Sequence, residues 1–131
     1  MILLDTCFLI ALQREFRRNE EGKARLFLKR HAQDVFAVSV ISVTEFLEGF
    51  DPPADGEIFL RPFRLLDVSL EVAREAAKIR RRLRINGTLI GDFDILIAAT
   101  AIVGGLSLAT DNAAHFERVE GLNWENYRGC T

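Results

Sequence analysis

A chain of 131 residues has room for one compact domain, and 49% hydrophobic with 27% charged residues excludes a disordered polymer. Lys and Arg number 17 against 19 Asp and Glu, a net charge of −2, which excludes a chain-wide polycation and leaves any nucleic-acid contact to a local patch. Cys7 and Cys130 stand far apart without CxxC spacing, and His31 and His115 do not cluster with them, so neither a disulfide framework nor a structural zinc site is expected and a reducing cytoplasm fits best.

The chain opens on ILL (2–4), a short buried strand that stops at Asp5. The acid interrupts the apolar run and no basic leader precedes it, so the start is not read as a signal peptide; no stretch reaches the ~18 apolar residues of a membrane helix. A helix is expected over 6–14, starting at Thr6. Residues 20–32 form a second, with Ala24, Phe27, Leu28 and His31 at helical spacing, acids first and bases last. VFAVSV (35–40) reads as the second strand. Ser42 and Glu45 then match the S-x-x-E capping box of a helix ending near Gly49. DPPADG (51–56) reads as a loop, followed by a weak segment, EIFLRPF, and a third strand, RLLDV (64–68). Residues 69–85 form a long helix whose apolar face is Val72, Ala76, Ile79 and Leu83. After the turn NGT, residues 91–105 form a helix apolar almost all round, hence central. LSLAT (106–110) is a fourth strand, and GLNWENY offers a fifth.

Strands alternating with helices predict a single α/β domain over 1–131, because parallel strands need crossovers. Ligand sites of such sheets lie beyond the carboxyl ends of the strands. Asp5 and Asp111 stand at two such ends, and Glu45, Asp92 and Asp94 lie beside apolar sequence. Four of the five have a local explanation: Glu45 completes a capping box, Asp92 caps the buried helix, Asp94 favours its positive end, and Asp5 accepts from the next turn. Several carboxylates gathered near a core imply a cation, and oxygen donors without His or Cys suit Mg²⁺ or Mn²⁺.

The stretches LLDTCFLIAL, ISVTEFLEG and IGDFDILIAATAIVGGLSLATDNAAHFERVEGL resemble the PIN-domain family, in particular its VapC-type toxins, from residue 1 to about residue 127. The resemblance implies a three-layer sandwich with a four- or five-stranded parallel sheet and a metal-dependent ribonuclease cutting RNA phosphodiesters. It places Asp5, Glu45 and Asp94 as metal ligands. The fourth acidic place of the pattern falls on Asn112, with Asp111 just before it, so either Asn112 acts as a neutral outer ligand or Asp111 takes the role. Thr6 and Thr110 are supporting hydroxyls, and Asp92 is a further nearby acid. The resemblance also implies a homodimer and a cognate VapB-like antitoxin that covers the acidic cleft, with FLIAL and EIFLRPF as contact segments.

For RNA or an acidic partner, the basic run KIRRRLR supplies Lys78, Arg80, Arg81, Arg82 and Arg84; Arg74, Lys78, Arg81 and Arg82 lie roughly on one helical face, and Arg14, Arg17 and Arg18 form a second patch expected near Asp5. Phe63, Trp124 and Tyr127 read as core or interface aromatics. The alternatives are a DNA- or flap-directed nuclease on the same acids and a catalytically inactive α/β binding module. A phospho-accepting receiver domain fits poorly, since the only lysines are 23, 29 and 78 and none follows the last core strand.

Overall fold

The computed structural model describes residues 1–129; Cys130, considered above for a disulfide, lies outside them. In chain order the elements are β1 (Ile2–Leu4), α1 (Thr6–Arg17), α2 (Lys23–Arg30), β2 (Phe36–Ser39), α3 (Val40–Leu47), α4 (Ala54–Leu60), β3 (Arg64–Leu66), α5 (Leu70–Ile85), α6 (Asp92–Gly104), β4 (Ser107–Thr110), α7 (Ala113–Phe116) and β5 (Trp124–Asn126). All neighbouring strands pair in parallel, in the order β3-β2-β1-β4-β5.

The strands are apolar on both faces because both are covered. Leu3, Ala37 and Leu108 face one core with Val72, Ile79, Ile95 and Phe116 of α5, α6 and α7. Ile2, Leu4, Val38 and Ala109, one step along each strand, face the other with Phe8, Leu12, Phe27, Phe46 and Leu60 of α1 to α4. This two-sided burial makes the three-layer sandwich. The chain winds from β1 outward to β3, returns beneath the sheet through α5 and α6, and resumes beyond β1 at β4. The direction of winding reverses between β1 and β4, which is where an open parallel sheet forms its crevice.

Three local expectations are corrected. Helix α3 begins at Val40, and its N-cap is Ser39, whose Oγ accepts from the Ile41 N–H at 3.1 Å. Ser42 is therefore not half of a capping box: it lies inside the helix, fully buried, and its Oγ has no hydrogen-bond partner among the described residues. An orphaned buried hydroxyl costs about 1–3 kcal/mol. Ser42→Ala should accordingly keep the fold and raise stability by roughly 1 kcal/mol, read as a higher melting temperature. Second, the segment after the paired prolines is helical: α4 starts at Ala54, with Pro53 in the preceding position where its missing N–H costs nothing. Third, the last helix before β4 starts at Asp92 with Gly91 as N-cap, so Asp92 is not the capping residue. Its other end stops at Gly105, which takes the left-handed conformation at φ 64°. The expected fifth strand is present, and Tyr127 just beyond it is almost fully buried, edge-on to Phe8 at 4.7 Å.

Candidate active site

Asp5 ends β1 and caps α1. Its Oδ1 accepts from the Phe8 N–H at 2.9 Å, and its Oδ2 accepts from the Thr110 hydroxyl at the end of β4. Thr110 Oγ1 in turn accepts from the Asn112 N–H at 2.9 Å. The side chain is 2% exposed. Burial pushes its pKa from 3.8 up to about 7; the Thr110 and Phe8 hydrogen bonds oppose the rise, while Asp111 and Asp94 add to it.

The other acids gather around the same point, each with its own tether. Glu45, one helical turn and more into α3, accepts from the Thr6 hydroxyl at 2.6 Å. Asp94, at the third position of α6, lies with its Oδ2 2.7 Å from His115 Nδ1. Asp111 accepts from Arg128 Nε at 2.9 Å, and the Tyr127 hydroxyl lies 3.5 Å away. The Arg128 guanidinium is held further above its ordinary pKa by that contact with Asp111. The Cys7 thiol is pushed up to about 12, first by loss of water around the sulfur and then by the charges of Asp5, Asp111, Asp94 and Glu45. Tyr127 is also raised, by burial and then by Asp111.

The residues expected at the site divide in three groups. Asp5, Glu45, Asp94, Thr6, Thr110, Asp111 and Asn112 come together. Asn112 stands on the Asp94 side, its amide 2.9 Å from His115 Nδ1, whereas Asp111 stands on the Arg128 side. Asp92 points outward, its Oδ1 bonded at 2.9 Å to Arg80 Nε on α5, and both side chains are largely exposed. Arg14 does not lie near Asp5. It sits in the last turn of the helix that Asp5 caps, nine residues on, about 13 Å of axial rise away. Arg17 and Arg18 are farther still, because a helix running away from the sheet's carboxyl edge carries its last turn to the opposite edge. Arg81 and Arg82 line an open hollow of about 350 Å³ with Lys78, and Arg82 pairs with Glu120 at 3.4 Å. Two further neighbours of the acids, His115 and Arg128, are not singled out by the sequence patterns; the spacing of His115 three residues after Asn112 is the one signal available for them.

The donor set fits a hard divalent cation. Its carboxylates are hard oxygen donors, with Cys7 and His115 beside them; Asp94 Oδ1 and Glu45 Oε2 accept no hydrogen bond from the described residues, and Asp5 sits among like charges that a cation would relieve. Among the described residues no three His, Cys, Asp or Glu side chains already close around one point as a cage.

The chain matches the PIN domain family over residues 2–122. It is 32% identical over 129 residues to Ribonuclease VapC1 of Methanocaldococcus jannaschii, spanning 96% of this chain and 86% of that protein. It is 38% identical over 125 residues to Ribonuclease VapC10 of Mycobacterium tuberculosis, spanning 93% and 90%. Its structure superposes with TM-score 0.82 and 26% identity on VapBC2 from Rickettsia felis bound to a promoter DNA fragment, covering 96% of this chain and 98% of that one. DNA-bound VapBC from Salmonella typhimurium gives TM-score 0.80 at 26% identity, covering 96% and 97%.

Proposed function

The chain belongs to the PIN-domain family, in its VapC group, and from that premise we propose that it is the Mg²⁺- or Mn²⁺-dependent endoribonuclease of a cytoplasmic toxin–antitoxin pair. The observation that supports the chemistry is that Asp5, Glu45 and Asp94, tethered by Thr110, Thr6 and His115, stand at the switch point of the sheet near enough to Cys7 to raise its thiol pKa. These three carboxylates would hold the ion. When bound, it supplies Lewis acidity, lowering the pKa of a water and neutralising phosphoryl oxygens.

The protein's own part is positioning. Thr110 and the Phe8 N–H hold Asp5, and Thr6 holds Glu45, so that the ligand oxygens are fixed before substrate arrives. The phosphate backbone of RNA has two cationic supports, one beside Asp111 and one apart from the acids on α5. Lys23, Arg30 and Arg128 line a hollow of about 250 Å³ beside Asp111. Lys78, Arg81 and Arg82 line the one on α5, whose Arg80 contacts the first turn of α6. Arginine forks and lysine ammonium groups bind phosphate in such hollows. A VapB-like antitoxin is the proposed partner, together with a second copy of the chain. The support for the antitoxin is an apolar groove of about 430 Å³ lined by Leu12, Phe16, Phe36, Ile58, Phe59 and Phe63, drawn from both expected contact segments. Phe16 and Ile58 in it are more than half exposed, which a solitary protein rarely tolerates together.

The test is RNA cleavage by the purified chain. Cleavage should require Mg²⁺ or Mn²⁺ and stop in EDTA; undiminished cleavage in EDTA overturns the metal-dependent reading.

A further inference from the structure

His115 is joined to two residues of the site through a single atom. Its Nδ1 lies 2.7 Å from Asp94 Oδ2 and 2.9 Å from the side-chain amide of Asn112. One ring nitrogen carries one proton or offers one lone pair, never both. An ionised carboxylate can only accept, so Nδ1–H donates to Asp94; the Asn112 Nδ2 that stands 2.9 Å from the same nitrogen is itself a donor, and that contact is a hydrogen bond only with the amide turned over so that its oxygen faces the proton. Nε2 then bears the lone pair, and none of the described residues bonds to it. The ring is 40% exposed and its partner carboxylate 25% exposed, so the pair lines the open side of the site. The hydrogen bond engages Oδ2 alone; Oδ1 of Asp94 accepts from no described residue.

The arrangement repeats what the hydroxyls do elsewhere: Thr110 holds Asp5, Thr6 holds Glu45, and in each case a donor from another element engages one carboxylate oxygen. For Asp94 the donor comes from the short helix α7, packed on α6. Resting on the metal-dependent reading above, we propose that His115 is a positioning residue: its Nδ1–H fixes the rotamer of Asp94 so that Oδ1 is presented to the divalent cation. Partners that orient a ligating group in this way typically change metal affinity or activity 10–100-fold when removed.

Asparagine and glutamine separate this role from simple packing. The Asn amide nitrogen falls where Nδ1 stood, while the Gln amide nitrogen falls nearer Nε2. In calorimetric titration with Mn²⁺, His115→Ala and His115→Gln should weaken binding by about 10–100-fold, and His115→Asn should restore most of it. In RNA cleavage the same order should appear in kcat, with KM for RNA little changed. In metal-free wild-type protein, ¹⁵N NMR of the neutral ring should show the Nδ1–H tautomer, and Asp94→Asn should alter its populations. Unchanged Mn²⁺ affinity in His115→Ala, equal losses in all three variants, or a ring protonated on Nε2 would each overturn the proposal. If wild-type protein binds no Mn²⁺, the metal reading fails first, and the tautomer measurement still decides whether His115 holds Asp94.

Discussion

Asp94→Asn should abolish metal-dependent RNA cleavage, while Asp92→Asn should retain most of it. The two acids stand in the same helical turn and differ in what they meet. Asp94 faces the crevice with Asp5 and His115, in the first turn of α6, where the helix's positive end favours a carboxylate. Replacing it removes a charge proposed to hold the ion, so on that proposal the loss should exceed the ~100-fold that removal of an orienting partner can reach. Asp92 meets only Arg80, on the outside. An exposed pair of that kind contributes roughly 0.2–1 kcal/mol, and Asn at the first helical position leaves the Gly91 cap untouched. Side-by-side cleavage assays and melting curves decide it. An inactive Asp92→Asn with an active Asp94→Asn would reverse the assignment.

Asp5→Asn should remove activity and make the metal-free protein more stable at neutral pH. Its carboxyl titrates at about 7 in the folded chain, against 3.8 for an aspartate free in water, chiefly because burial disfavours the charge. The unfolded chain therefore releases its proton first. Folding is helped fully below pH 3.8, and that help is lost as pH rises to about 7, above which the penalty is constant. The gap corresponds to about 4 kcal/mol as an upper bound. Asn keeps an oxygen for the Phe8 N–H and, being neutral, carries none of that pH dependence. Urea denaturation of wild type and variant between pH 4 and 8, without divalent metal, should show the wild-type curve falling and the variant's flatter. Mg²⁺ should restore stability at high pH to wild type alone, because a ligand that binds only the folded state stabilises it. Parallel pH curves would show that Asp5 is not the group that titrates.

Much of the architecture was legible because it rests on short-range pattern. Apolar runs of four or five residues, separated by segments of helical periodicity, imply parallel strands with crossovers, and the five-stranded sheet has that form. Val72, Ala76, Ile79 and Leu83 form the buried face of α5 as their spacing requires. Element boundaries were less legible: Ser39 and Ser42 both precede helical sequence, and the choice between them depends on where β2 stops pairing with β1. The helix after Pro52 and Pro53 was hidden because proline breaks a helix only from inside it.

By itself the sequence determined the layered α/β fold and the position of acids at strand ends, since both follow from residues near one another along the chain. Tertiary structure alone decided what each acid touches. Thr110 reaches Asp5 across 105 residues, Thr6 reaches Glu45 across 39, and His115 reaches Asp94 across 21. It also carried Arg14 away from the site and brought Arg128 to it, turned Asp92 outward to Arg80, and left Asn112 beside His115 with Asp111 beside Arg128. Such pairings depend on the order of strands in the sheet and the direction in which each helix leaves it, and neither is written in any local run of residues.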